Sequence, residues 1–114
     1  AGGGVFDRSE KKINPSPVAR VLLGLPGSGD FSPEEVIRSI LGAEVDMIYN
    51  GGIGTFIRSS QESNRDVNDA SNFACRIAAD AVRARMVIEG GNLGVTPKGR
   101  VELARAGTQI GQLV

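Results

Sequence analysis

Two segments decide the fold of this chain: VDMIYNGGIGT at residues 45–55 and MVIEGGNLG at residues 86–94. Each begins with an apolar run and ends in a turn that contains three glycines. Such runs are typical of buried strands in an open parallel α/β sheet, which presents backbone amides to a ligand at its carboxyl edge. Because both turns follow strands of the same predicted sheet, we expect them to open on the same edge.

A hydroxyl residue followed by proline marks the start of each of three predicted helices. Serine or threonine caps a helix, and proline suits its first turn because it has no amide hydrogen to leave unpaired. The starts are Ser16-Pro17, Ser32-Pro33 and Thr96-Pro97, and the expected ends are Gly24, Gly42 and Gly107. Glu35 completes a capping box with Ser32. In the third helix, Val101 and Ala104 are predicted to face inward.

A fourth helix and three strands complete the predicted architecture. The helix is expected from Asp69 onward, because Phe73, Ile77 and Ala81 recur at four-residue intervals. The strands are expected at 45–49, 86–88 and 109–114. Strands that alternate with helices form right-handed crossovers and therefore a parallel sheet. The sequence thus predicts an α/β fold with a parallel sheet of about three strands and flanking helices, and its unpaired edge makes a homo-oligomer a further hypothesis.

The composition excludes several classes of function. The 114 residues carry 13 basic and 13 acidic side chains, so we expect no surface for nucleic acid. Histidine is absent, which excludes Ser-His and Cys-His catalysis and most zinc sites. The single cysteine, Cys75, is interpreted as a buried, inert thiol of a cytoplasmic protein. The apolar runs are too short to cross a membrane, and the lack of an initiating Met indicates a piece of a longer polypeptide.

The two glycine turns are the candidate ligand site. Glycine lets a ligand approach the backbone closely, and the carboxamides of Asn50 and Asn92 can both donate and accept hydrogen bonds. The alternative is that both are only tight turns, with asparagine in a left-handed conformation. Neither turn matches the G-x-G-x-x-G dinucleotide fingerprint, since the first supplies only half of it.

Charged residues near the turns have more than one interpretation. Glu89 could act as a general base, contact a ligand, or hold the loop by accepting backbone amides, and the last role is favoured. Asp46 either faces a crevice or pairs with a neighbouring helix. Lys98 and Arg100 are expected to be exposed to solvent.

The chain resembles the large bacterial NAD-specific glutamate dehydrogenases in three stretches: AGGGVFDR at 1–8, the segment 45–55, and EGGNLG at 89–94. The resemblance extends from residue 1 to about residue 108 and implies the later half of a Rossmann-like nucleotide-binding domain. The chain would then consist of an irregular leader with a short helix, 1–31, and half of that domain, 32–114. A fainter resemblance to ordinary glutamate dehydrogenases implies that Gly51 and Gly52 lie beside the cofactor and that Asn92 lies near the nicotinamide.

The resemblance also implies a reaction. The intact enzyme would bind NAD and convert L-glutamate reversibly to 2-oxoglutarate and ammonia. The implied cofactor-binding residues are Asn50, Gly51, Gly52, Gly90, Gly91 and Asn92, with no catalytic or metal-binding residue in this chain. The family's phosphate-binding loop and its catalytic lysine and aspartate are missing here, so we expect this polypeptide alone to be inactive and to bind NAD weakly. The alternative is a non-catalytic nucleotide- or amino-acid-binding module with half of the Rossmann architecture.

Overall fold

The computed structural model of the chain describes residues 2–91 and 93–112. The helices in these residues are α1 (Pro17–Leu23), α2 (Pro33–Leu41) and α3 (Pro97–Arg105). The strands are β1 (Met47–Asn50), β2 (Ile57–Arg58), β3 (Ile77–Ala78), β4 (Met86–Glu89) and β5 (Gln109–Gln112). Short 3₁₀ turns lie at Asn64–Asp66, Ala70–Asn72 and Ala79–Ala81. None of the helices in the described residues is long and apolar enough to span a membrane.

The three helix starts predicted from hydroxyl-proline pairs are confirmed. The side chains of Ser16, Ser32 and Thr96 each accept a hydrogen bond from the backbone amide three residues further on. Glu35 also accepts from the Ser32 amide at 2.7 Å, which completes the capping box of α2. Each cap satisfies an amide that the first helical turn would otherwise leave unpaired.

A parallel sheet of three strands confirms the predicted fold class for the described residues. β4 lies in the centre, with β1 on one side and β5 on the other. Helices flank this sheet, as expected for a partial Rossmann-like arrangement. β1 spans 47–50 rather than 45–49, and β5 confirms the predicted last strand over 109–112. Residues 113 and 114 of that prediction lie outside the described residues.

The core forms where α3 packs near the sheet. Its buried members are Leu41, Ile57, Ile77, Ala79, Val87, Val95 and Leu103. The prediction that Val101 and Ala104 face inward is wrong, since both are exposed while Gly99 and Leu103 are buried. α3 approaches β2 so closely that a Cβ at Gly99 would lie 3.3 Å from the backbone carbonyl carbon of Arg58. The absence of a side chain at Gly99 therefore allows this face of α3 to approach β2.

The prediction of a helix from Asp69 is wrong. The segment instead forms β3 with a 3₁₀ turn on each side. The Ile77 amide donates to the Phe56 carbonyl at 2.9 Å, which places Ile77 beside β2. Phe73 is 55% exposed, so the apolar side chains do not share one face. The buried Arg76 donates to backbone carbonyls and holds this segment in a non-helical conformation. Residues 51–85, which connect β1 to β4 and are all described by the structure, therefore contain no α-helix.

The amino-terminal segment contacts the rest of the chain through Arg8. Its guanidinium donates to the Asn72 side chain at 2.9 Å and to the Cys75 sulfur at 3.3 Å. Cys75 is fully buried, as predicted, although not in a helix, and its burial raises the pKa of the thiol. The division at residue 31 stays a prediction.

Candidate site at the carboxyl edge of the sheet

The two glycine turns lie side by side at one edge of the sheet. β1 and β4 are parallel neighbours, and their register pairs Asn50 with Glu89, the last residue of each strand. The Gly90 amide donates to the Asn50 carbonyl at 2.7 Å. The expected common edge is therefore confirmed for residues 50–55, 90–91 and 93–94, and we call these residues, together with Tyr49 next to the end of β1, the rim. Asn92 lies outside the described residues, so its role stays a prediction.

Two glycines lie where the turns meet. A Cβ at Gly91 would overlap the carbonyl oxygen of Gly52, and a Cβ at Gly94 would overlap the side-chain amide of Asn50. Neither glycine has a φ in the left-handed region. Close approach of the backbones, rather than backbone conformation, therefore requires glycine at position 91, whereas at Gly94 the obstacle is the end of a side chain that can rotate away.

The remaining predicted glycines differ in whether a side chain there would contact Tyr49. A Cβ at Gly51 would lie 3.0 Å from the Tyr49 ring, and a Cβ at Gly90 would overlap the Tyr49 hydroxyl. At Gly52, by contrast, no atom lies within 4 Å of the position that a Cβ would take. Gly52 is thus the predicted site residue at which a ligand can approach the backbone with least obstruction.

The carboxamide of Asn50 helps to hold the first turn. Its oxygen accepts a hydrogen bond from the Gly52 amide at 3.3 Å, a contact typical of asparagine in turns. Among the described non-glycine residues, Leu93 has a positive φ, 60°, and Asn50 does not. The alternative of a left-handed conformation at Asn50 is therefore wrong, although a structural role for its amide is supported.

A buried carboxylate anchors the second turn to α3. Glu89 is 1% exposed; one of its oxygens accepts from the Val95 amide, and the other lies 2.5 Å from the Arg100 guanidinium. These contacts confirm the loop-holding interpretation of Glu89. The expectation of solvent exposure is wrong for Arg100, because this ion pair draws its guanidinium inward, whereas Lys98 is exposed as predicted.

Asp46 lies at the opposite edge of the sheet, next to the start of β1. Its side chain is exposed and lies 3.8 Å from the Arg85 guanidinium. Arg85 lies in the connection just before β4, so the alternative of pairing with a helix is wrong. An ion pair this exposed contributes little to stability.

A polar network that sequence analysis does not predict lies behind the rim. The Asp69 carboxylate accepts from the Thr55 amide at 2.8 Å and from the Asn72 side chain at 2.7 Å, and it lies 3.6 Å from the Arg76 guanidinium. The hydrogen bond from the Thr55 amide, followed by that from Asn72, lowers the pKa of Asp69 to about 2. The sequence predicts only that a helix begins at Asp69, and no spacing in the sequence connects Asp69 to Thr55.

The surface of the rim is uncharged and partly apolar. Neither 49–55 nor 90–94 contains a lysine, arginine, aspartate or glutamate. Tyr49 is 54% exposed, Ile53 91% and Leu93 45%. No group of three or more potential metal ligands occurs among the residues that the structure describes. Such a surface suits a planar ring better than a phosphate or a metal ion.

Comparisons with known proteins assign a family to this architecture. Residues 1–112 match the family described as bacterial NAD-glutamate dehydrogenase, catalytic domain. The chain is 47% identical over 114 residues to the NAD-specific glutamate dehydrogenase of Mycobacterium tuberculosis, and 43% identical over 109 residues to that of Halomonas elongata. It is 42% identical over 107 residues to that of Pseudomonas aeruginosa.

These alignments cover most of this chain but only a small part of the length of each relative. They cover 96%, 96% and 94% of the chain, respectively, and 7%, 7% and 6% of the three relatives. The chain therefore spans about 7% of the length of the first of these relatives.

Proposed function

The chain belongs to the bacterial NAD-glutamate dehydrogenase family, and we propose that it forms part of an enzyme that oxidatively deaminates L-glutamate to 2-oxoglutarate and ammonia. In this proposal the rim contributes the nicotinamide side of the NAD crevice. NAD, when bound, supplies the hydride acceptor. The residues of this chain bind and orient it.

The observation that carries the proposal is the pairing of the two turns at the carboxyl edge of a parallel sheet. Ligands of open α/β sheets bind at this edge. The rim has no basic side chain for a pyrophosphate, but it offers exposed backbone at Gly52 and half-exposed apolar surface at Tyr49 and Leu93. These groups fit a planar ring that carries a carboxamide, which supports placing the nicotinamide here and the phosphates elsewhere.

The six proposed cofactor-binding residues have different tasks. Gly52 allows the ligand to approach the backbone, because no side chain or backbone atom blocks it. Gly51, Gly90 and Gly91 shape the rim, since each leaves room for Tyr49 or for the opposite turn. We propose that the side-chain amides of Asn50 and Asn92 supply hydrogen bonds to the ligand.

The described residues of the rim supply no carboxylate, lysine or histidine for proton transfer. Glu89 is the nearest carboxylate in sequence, and both of its oxygens are engaged, one by the Val95 amide and one by Arg100. A general base needs an oxygen within reach of the substrate proton. We therefore propose that this polypeptide alone does not turn over glutamate.

A pair of glycine substitutions in the intact enzyme tests the proposal. Gly52→Ala adds a methyl group where we place the cofactor, and Gly27→Ala adds one in a loop where no atom lies within 4 Å. Calorimetric titration with NAD should show binding weakened by about fivefold or more for Gly52→Ala, because a methyl group forced into a fitted contact costs roughly 1–3 kcal/mol. Gly27→Ala should bind NAD like the wild type. Equal NAD affinity for both variants would overturn the assignment.

A further inference from the structure

We propose that Thr55 is the positioning residue of the rim: its hydroxyl holds the second turn in place, while Asp69 and Arg76 hold Thr55. This inference deepens the proposed function, because it concerns how the cofactor surface is kept in shape. It assigns no catalytic step to Thr55.

The hydroxyl of Thr55 joins the two turns directly. It donates to the carbonyl of Leu93 at 2.8 Å, across 38 positions of sequence. The amides of Phe56 and Ile57 both donate to the next carbonyl, that of Gly94, at 2.8 and 3.1 Å. The end of the first turn thus binds two successive carbonyls of the second turn.

The backbone of Thr55 is itself fixed on both sides. Its amide donates to the Asp69 carboxylate at 2.8 Å, and its carbonyl accepts from Nε of Arg76 at 2.8 Å. Arg76 has no exposed side-chain surface, and it also donates to the backbone carbonyl of Asp69. Thr55 is buried as well. A buried network with its partners in place rigidifies the groups it joins.

The carbonyl that Thr55 holds belongs to a residue in an uncommon conformation. Leu93 has a φ of 60°, which L-residues with large side chains seldom adopt. Such a conformation persists only where its surroundings enforce it, and the Thr55 hydroxyl is a contact that does so. Leu93 itself supplies half-exposed apolar surface to the rim, which the proposed function assigns to the nicotinamide. Fixing Leu93 therefore preorganises this surface, and a preorganised surface binds its ligand more tightly.

Three substitutions in the intact enzyme separate positioning from general stabilisation. Thr55→Val keeps the shape of the side chain and removes the hydroxyl, whereas Thr55→Ser keeps the hydroxyl. Ser39→Ala is the matched control, because Ser39 donates to the Val36 carbonyl at 2.7 Å within α2, away from the rim. Should Thr55→Val fail to fold, Thr55→Cys replaces it, since a thiol is only a weak donor.

The first readout is kinetic and is made well below the melting temperature. Thr55→Val should raise KM for NAD about 3- to 10-fold, the effect of one lost hydrogen bond. Thr55→Ser and Ser39→Ala should keep KM near the wild-type value. An unchanged KM for Thr55→Val would overturn the proposal, whatever its effect on thermal stability.

The second readout is amide hydrogen exchange without NAD. Thr55→Val should speed exchange at the amides of residues 93–95, and Ser39→Ala should leave them unchanged. If the wild-type enzyme binds no NAD, the proposed function fails and this exchange result alone decides the role of Thr55. Unchanged protection at 93–95 in Thr55→Val would then overturn the positioning role.

Discussion

Replacing Gly91 by alanine should force the two turns of the rim apart. The added Cβ would overlap the carbonyl oxygen of Gly52 and lie 3.1 Å from its carbonyl carbon and 3.9 Å from the amide nitrogen of Ile53. All three atoms belong to backbone, so no side chain can rotate away. The Gly52 carbonyl must therefore move by roughly 1 Å to restore van der Waals contact.

The expected cost follows from the nature of this obstacle. Inserting a methyl group into closely packed surroundings costs about 1–3 kcal/mol. The rim lies at the edge of the sheet and can relax, but the blocking atoms are backbone, so we expect a loss of about 2 kcal/mol for Gly91→Ala. With a urea m value of about 1.5 kcal/mol/M, the unfolding midpoint should fall by slightly more than ~1 M.

Gly52→Ala is the matched control, because it makes the same substitution in the opposite turn. Its Cβ would meet no atom within 4 Å, and its φ lies outside the left-handed region. A compatible Gly→Ala change is neutral or stabilises by about 0.4–1 kcal/mol. Urea unfolding of the 114-residue protein, followed by circular dichroism, compares the two variants. Equal midpoints for Gly91→Ala and Gly52→Ala would refute the close contact between the turns.

Two further predictions concern the carboxylates behind the rim. Because the pKa of Asp69 falls from 3.8 to about 2 on folding, its contribution of roughly 2 kcal/mol is complete above pH ~4 and is lost as the pH falls toward ~2. In urea unfolding at pH ~5 and ~3, the free energy of unfolding should fall less between the two pH values for Asp69→Asn than for the wild type. Equal decreases would contradict the lowered pKa of Asp69. Glu89→Gln should cost about 1–3 kcal/mol, because it leaves Arg100 without its counter-charge. Asp46→Asn, which alters an exposed ion pair, should change the free energy of unfolding by less than about 0.5 kcal/mol in the same assay. A similar loss of stability for Glu89→Gln and Asp46→Asn would argue against Glu89 as a buried anchor.

Local signals predicted the helices and the main strands of this fold well. A cap acts within three or four residues, so Ser32 and Glu35 alone suffice to place the start of α2. The apolar runs before Asn50 and Glu89 likewise place β1 and β4 within a few residues of their observed bounds. From two such strands the common edge of the turns follows, because parallel neighbours end together.

The errors arose where distant contacts decide the local structure. The spacing of Phe73, Ile77 and Ala81 favours a helix, but the buried side chain of Arg76 binds the carbonyl of Thr55, 21 positions away. An arginine in a sequence gives no indication that it will be buried, since most arginines are exposed. The roles of Thr55 and Arg100 could not be predicted for the same reason, because their hydrogen-bond partners are distant in sequence.

The glycines show a second limit of the sequence. Three glycines in each turn indicate close approach, but not what approaches. The structure assigns Gly91 and Gly94 to contacts between the turns, Gly51 and Gly90 to Tyr49, and leaves Gly52 facing open space. Packing within the protein thus accounts for most of a motif that the sequence alone would assign to a ligand.

The central claim, that the rim holds the nicotinamide end of NAD, is tested most directly by a structure of the intact enzyme with NAD bound. The account predicts the nicotinamide ring within about 4 Å of Gly52, at the carboxyl edge shared by β1 and β4. A nicotinamide bound at the opposite edge, near Asp46 and Arg85, would contradict it.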